Sequence, residues 1–207
     1  GTVVADGYKA YSALIVNNGA RYRLAFCWAH VRRKFSDAEE FYPDECNEVL
    51  TLIGKLYDVE RAVPDPFTLQ GEARQNAVAS RKKLRNEISR GIVEQIQQWA
   101  IDQSAVKESG LGTAIKYMLD HWGGLQIFLD DHQVPIDNNR VERQLRGPVV
   151  GRKVHYGSRS LRGTEVAATF YSLLGTAKLA GIDPRAYLDH VALESIKHPG
   201  TSCMPCE

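Results

Sequence analysis

The sequence predicts a helix-dominated α/β fold, and three observations carry that expectation. The chain opens on a β-branched run, Thr2-Val3-Val4, that closes at the turn signal Asp6-Gly7. Residues 22–28, YRLAFCW, alternate well enough for a second strand. Most of the remaining chain repeats its apolar residues at helical spacing. A chain of 207 residues holds one domain, or one domain with a large insertion. Hydrophobic content of 43% and charged content of 25% are ordinary for a globular protein. With a net charge of +1, any nucleic-acid surface has to come from local clustering.

No apolar run approaches the ~18 residues of a membrane span, and the N-terminus lacks a signal-peptide layout. Four cysteines in a chain this long make no disulfide framework, so a reducing cytoplasm is expected. The chain begins without Met, directly in a strand-like run, and is expected to be a piece of a longer protein.

Taken in order, the first candidate is Asp6. Open α/β sheets collect ligands at strand C-termini, which suits an acid there to a site; an ordinary Asp-Gly turn is the commoner use. Tyr8 and Tyr11 start a short helix, and from Ala29 to Phe41 the sequence turns helical again. Cys27 and His30 have the two-residue gap of a metal-ligand pair, but they are half a site. Cys203 and Cys206 would have to complete it from 173 positions away (203 − 30), in a Pro/Gly/Ser-rich tail that reads as disordered. A buried thiol beside a hydrogen-bonded histidine at a strand–helix junction is the expected state, and zinc is not expected.

Residues 44–102 read as helix, interrupted by the breaker Val63-Pro64-Asp65-Pro66. Val49, Ile53, Leu56 and Tyr57 mark one apolar face; Leu84, Ile88, Ile92, Ile96 and Trp99 mark another. Arg81, Lys82, Lys83 and Arg85 form a basic run, read as a solvated face or a phosphate track. Ser109-Gly110 breaks the pattern, which resumes from Leu111 to Trp122 and, after Gly123-Gly124, over Leu125–Leu129.

The stretch 133–153, QVPIDNNRVERQLRGPVVGRK, reads as a helix entered after Pro135, with Asp137, Asn138 or Asn139 accepting from the free N–H groups of its first turn. Gly147-Pro148 is expected to stop it early. Asn139, Glu142, Arg143 and Arg146 fall on one face, a single carboxylate among guanidinium groups with no apolar stripe. That face suits a metal-bound phosphate; the alternatives are a solvated charged helix and a capping box closed by Glu142. From Arg140 to Arg162 there are seven basic residues against one acid, Glu142, a local imbalance hidden by the global charge. Thr164 to Ala180 is the clearest helix, with Val166, Ala167, Phe170, Leu173, Leu174 and Ala177 as its buried face and Gly181 as its cap. Pro184 opens a last short helix, and order is expected to fade after Ile196.

Four motifs in order, Ala-Asp-Gly-Tyr (5–8), Cys-Trp-Ala-His-Val-Arg-Arg-Lys-Phe (27–35), Pro-Ile-Asp-Asn-Asn-Arg-Val-Glu-Arg (135–143) and Gly-Arg-Lys (151–153), resemble the insertion-sequence-sixty-six family of bacterial transposases. The resemblance runs from about residue 3 to residue 190, and it implies part of an RNase H-like catalytic core with an Asp, Asp, Glu triad. By that resemblance Asp6 matches the second acid and Glu142 the third, both metal ligands, while the first Asp would lie upstream on an earlier strand. It further implies two Mg2+ (or Mn2+) ions in the complete site, DNA (element ends and target) as partner, a homo-oligomer in the transposition complex, and a bacterial, nucleoid-associated location. The expected layout is core strands and helix over 1–43, a helical insertion over 44–130, C-terminal core helices over 131–196 and a tail over 197–207.

The chemistry justifies these residue types. In-line phosphoryl transfer uses two ions about 4 Å apart, held by carboxylate oxygens from separate elements. Asp6 and Glu142 are 136 positions apart (142 − 6), with the Cys27–His30 motif and the helical insertion between them. Arg143, Arg146, Arg152, Lys153 and Arg159 would hold DNA phosphates, which positions a strand without reading it. A metal-dependent nuclease of similar fold and a non-catalytic DNA-binding remnant remain as rival readings.

Overall fold

The computed structural model describes residues 1–17, 21–104, 107–154, 157–200 and 204, and divides into two compact units, Gly1–Asn139 and Arg140–Glu207. Helix dominates both. In the first unit β1 (Thr2–Ala5), α1 (Lys9–Asn17) and β2 (Arg23–Phe26) form a βαβ turn of chain. The strands pair in parallel, with Thr2 opposite Arg23 and Ala5 opposite Phe26. A parallel pair needs a crossover, and α1 supplies it.

Seven further helices enclose the core: α2 (Trp28–Ala38), α3 (Pro43–Arg61), α4 (Gly71–Leu84), α5 (Arg90–Asp102), α6 (Gly110–Asp120), α7 (Trp122–Leu125) and α8 (Ile127–Asp130). Their starts reflect local chemistry. Pro43 occupies the first turn of α3, followed by Asp44 and Glu45 at the positive end of its dipole. Ser109, expected as a break, is the N-cap of α6 and accepts from Gly112 N–H at 2.9 Å. α2 buries Trp28, Val31, Phe35 and Ala38 along one stripe, in one core cluster with Val49, Ile53 and Leu56 of α3, and Phe35 meets Trp99 of α5 edge-on.

In the basic run 81–85, Lys82 and Lys83 are exposed as a solvated face would be, but Arg81 and Arg85 correct that expectation. Arg81 is 6% exposed and Arg85 fully buried. Arg85 donates to both carboxylate oxygens of Glu60 (2.7 and 2.8 Å) and to the carbonyls of Phe128 (2.7 Å) and Val134 (3.0 Å). Arg81 lies 3.4 Å from the same carboxylate; burial pulls its pKa down, and Glu60 opposes that pull. A π turn, Arg85–Ser89, lies between α4 and α5. Its wider winding turns less per residue than an α-helix, which shifts the helical phase; Arg85 and Ser89 are buried while Ile88, expected in the core, is 44% exposed. Ile92, Ile96 and Trp99 remain buried as expected.

The second unit consists of α9 (Asn139–Val154), α10 (Leu161–Leu179) and α11 (Pro184–Lys197); Asn139, the first residue of α9, still belongs to the first unit. Ser160 caps α10 through Gly163 N–H, and Asp183 caps α11 through Ala186 N–H. Gly181 ends α10 at φ 75°, with Ile182 N–H on Ala177 O and Gly181 N–H on Lys178 O, the paired bonds of a Schellman stop.

Two expectations fail here. α9 does not stop at Gly147-Pro148 but runs on to Val154 with Pro148 inside. Proline removes one intrahelical bond and crowds the preceding turn, yet bonding on both sides carries the helix through. In α10 the expected apolar face is largely open: Ala177 alone is buried, and Val166 and Phe170 are 47% and 48% exposed. α10 packs on α11, and a short helical pair covers only part of such a face. Cys203 and Cys206, weighed as partners of Cys27 and His30, and most of the tail beyond Gly200 lie outside the described residues.

Candidate functional site

Asp6 follows β1 directly, at the C-terminal end of the parallel pair, and is half-buried. Its Oδ1 accepts from Tyr8 N–H at 3.2 Å, closing the turn, while Oδ2 has no hydrogen bond among the described residues. Gly7 needs its missing side chain twice. Its φ is +64°, and a Cβ there would stand 2.4 Å from Nε2 of His121. His121 follows α6 and is held by its own hydrogen bond, Nδ1 to Tyr117 O at 2.6 Å. Its ring packs edge-on against Phe26 (centroids 4.3 Å) and tilted against Tyr117 (4.4 Å). Gly124, one turn on, lets the chain pass over β2: a Cβ there would meet Phe26 Cδ2 at 2.3 Å and Leu24 O at 2.8 Å.

The neighbouring strand ends at Phe26, and the next residue, Cys27, donates its N–H to Ala5 O at 3.1 Å, so Cys27 and Asp6 leave the sheet side by side. The Cys27 thiol is buried. Burial pushes its pKa up; the backbone N–H groups of Asn138, His30 and Ala29 oppose that, and Asp137 adds to it. Trp28 N–H donates to Ile136 O at 3.1 Å, which docks the Pro-Ile-Asp-Asn-Asn segment directly on the Cys-Trp-Ala-His segment. Trp28 Nε1 donates to Leu125 O at 2.9 Å and its ring meets Trp122 edge-on. His30 sits in the first turn of α2, half-buried. Two of the sequence motifs, separated by 108 positions (136 − 28), thus share one junction of strand, helix and loop.

Asp137 is the residue that sequence reasoning undervalued. Its carboxylate accepts from Asn139 N–H (3.0 Å) and Asn139 Nδ2 (2.8 Å), fixing the start of α9. Asp137, one of the three residues expected to accept from the first turn, thus holds the Asn139 N–H. Burial, then the nearby charges of Asp137 and Cys27, drive the Tyr57 phenol well above its ordinary pKa. Tyr117 is raised by burial first, then by Asp6 and Cys27. Asp6 and Asp137 therefore both act on side chains around the Cys27 junction. Tyr57 and His121 gave no signal beyond an apolar stripe and an unremarkable histidine.

Glu142 lies in the first turn of α9, half-buried, in the second unit. Arg143, Arg146, Arg152 and Lys153 along α9, and Arg159 in the following loop, are exposed, and none is paired with an acid among the described residues. Among the described residues, no group of three or more His, Cys, Asp and Glu side chains could hold a metal ion. None of the helices there is long and apolar enough to cross a membrane.

A parallel βαβ unit with an acid at its strand end, followed by a long helical segment and a basic helix, defines a helix-dominated α/β protein. The model of the Transposase IS66 family matches residues 1–166, and the chain belongs to that family. It is similar to three proteins of Sinorhizobium fredii (strain NBRC 101917 / NGR234). Uncharacterized protein y4jD is 36% identical over 98% of this chain and 39% of its own length. Uncharacterized protein y4qI is 33% identical over 91% and 34%, and uncharacterized protein y4hP 27% over 97% and 38%. The chain thus spans about two fifths of the curated relatives it matches. No solved structure matches it.

Proposed function

We propose that this chain is the catalytic-core segment of a DNA transposase with an RNase H-like core, and that in the complete protein Asp6 and Glu142 hold divalent metal, Mg2+ or Mn2+. The observation that carries this reading is the placement of Asp6: a strand-end acid whose Oδ1 closes a turn and whose Oδ2 is left without a hydrogen bond among the described residues. The donor chemistry fits a hard cation. Mg2+ takes one or two carboxylates, keeps several waters and completes its shell with substrate phosphate oxygens. When bound, such ions activate the attacking oxygen and stabilise the leaving one.

The chain's own residues do the positioning. Tyr8 N–H orients the Asp6 carboxylate, and Asp137 sets the start of the helix that carries Glu142. Arg143, Arg146, Arg152, Lys153 and Arg159 hold DNA phosphates, giving affinity without sequence readout. DNA of the element ends and target is the partner, several copies assemble on it, and the protein works at the bacterial nucleoid. Asp6 and Glu142 are two of the three acids that the resemblance implies, and two acids hold a pair of ions poorly, so this chain by itself is read as inactive.

The test uses the complete transposase on DNA bearing its element ends. Asp6→Asn and Glu142→Gln should each abolish cleavage and strand joining while DNA binding persists. Joining that survives Glu142→Gln overturns the assignment; cleavage without joining in the unaltered protein identifies a nuclease instead. Mg2+-dependent cleavage by residues 1–207 alone, abolished by Glu142→Gln, overturns the inactivity of the segment.

A further inference from the structure

His121 has one ring nitrogen that the fold does not use. Nδ1 lies 2.6 Å from the carbonyl of Tyr117, and a carbonyl only accepts, so Nδ1 carries the hydrogen. In the neutral ring this leaves the lone pair on Nε2, which makes no hydrogen bond among the described residues. Nor is Nε2 sealed in the interior, where an unpaired polar atom would be costly. The ring itself is clamped by the Nδ1 bond, by Phe26 and by Tyr117.

The turn that follows Asp6 lies against that nitrogen. A Cβ on Gly7 would stand 2.4 Å from Nε2 and 3.0 Å from each flanking ring carbon. A point on the lone-pair axis at that distance would be farther from both carbons, so Gly7 approaches off that axis, toward the face of the ring. A histidine serving only to end α6 would use Nδ1 and its faces; it would not need Nε2 brought to the turn that follows the strand-end acid.

We propose that His121 contributes Nε2 as a direct ligand to the divalent ion held by Asp6, so that the helical segment between the two acids supplies part of the site. This rests on the reading of Asp6 as a metal ligand. An imidazole in a carboxylate site favours a first-row transition ion, so the mixed site binds Mn2+ in preference to Mg2+.

The experiment is pulsed electron paramagnetic resonance on the complete transposase loaded with MnCl2, in protein carrying 15N-labelled histidine. The unaltered protein should show nitrogen coupling from a directly bound imidazole. His121→Asn keeps a donor for Tyr117 O but removes Nε2; it should lose the coupling and weaken Mn2+ binding roughly tenfold, on the scale of lost ligand support. Its melting temperature, measured alongside, should stay near that of the unaltered protein. His121→Gln, whose amide reaches toward the Nε2 position, serves as a second variant should the first unfold. Mn2+ binding that is lost in Asp6→Asn but shows no nitrogen coupling in the unaltered protein overturns the role of His121 and leaves Asp6 standing. Coupling that survives in both folded His121 variants overturns it equally. Mn2+ binding unchanged in Asp6→Asn overturns the metal-ligand reading of Asp6 and this inference with it.

Discussion

Replacing Gly7 by Ala tests the turn that carries Asp6. Two costs arise from the structure. At φ +64° an L-residue with a Cβ sits in the left-handed region, which costs about 1–2 kcal/mol. The new methyl would also lie 2.4 Å from Nε2 of His121, inside van der Waals contact, and forced repacking of this kind costs about 1–3 kcal/mol. Together they predict a loss of about 2–5 kcal/mol. Trp28, Trp99 and Trp122 all lie in the first unit, so tryptophan fluorescence during urea unfolding of the 207-residue chain reports that unit alone. The two costs separate in a double-mutant cycle. In a His121→Ala background the steric part should vanish and the conformational part of about 1–2 kcal/mol remain. A Gly7→Ala change that costs less than about 0.5 kcal/mol would refute the reasoning, as would a cost untouched by His121→Ala.

Three further outcomes are expected. Glu60→Ala strands the buried Arg85 charge and should destabilise the first unit by about 3–5 kcal/mol in the same unfolding assay, far more than Asp130→Ala, whose pair with Arg90 is exposed. Tyr57 and Cys27 are held above their ordinary values of 10.0 and 9.0, so the folded state keeps protons that the unfolded chain releases. Their contribution is complete below pH 9 and is lost as pH rises further; thermal unfolding in alkaline buffer should show this fall, and Tyr57→Phe should make it shallower above pH 10. Arg152→Ala with Lys153→Ala should weaken binding of the complete protein to unrelated duplexes about equally and flatten the log–log salt dependence by about two units, as read from fluorescence anisotropy across a salt series; loss confined to one sequence would mean base readout instead.

The parts of this molecule legible in its sequence are those decided within a few residues. Ser109, Ser160 and Asp183 each accept from an N–H three positions on, and Gly181 closes α10 through bonds reaching three and five positions back. The strand-end acid Asp6 and its Gly7 turn are equally local. Family membership was legible as well, because it is carried by four short motifs in order. Where local rules misled, a longer-range effect had intervened. Ile88 left the core because one wide helical turn changed the phase, and no spacing rule anticipates that turn.

By itself, then, the chain determined most of its helix starts, its opening strands and the residue types available for chemistry. Tertiary structure decided which of those residues meet. Arg85 is buried because Glu60 and the carbonyls of Phe128 and Val134 come to it from 25, 43 and 49 positions away. Ile136 lies on Trp28, and His121 lies on Gly7 across 114 positions (121 − 7). A cap or a turn is settled by the geometry of one or two peptide units, whereas burying a charge or aiming a ring nitrogen depends on partners whose arrival requires the whole core to close first.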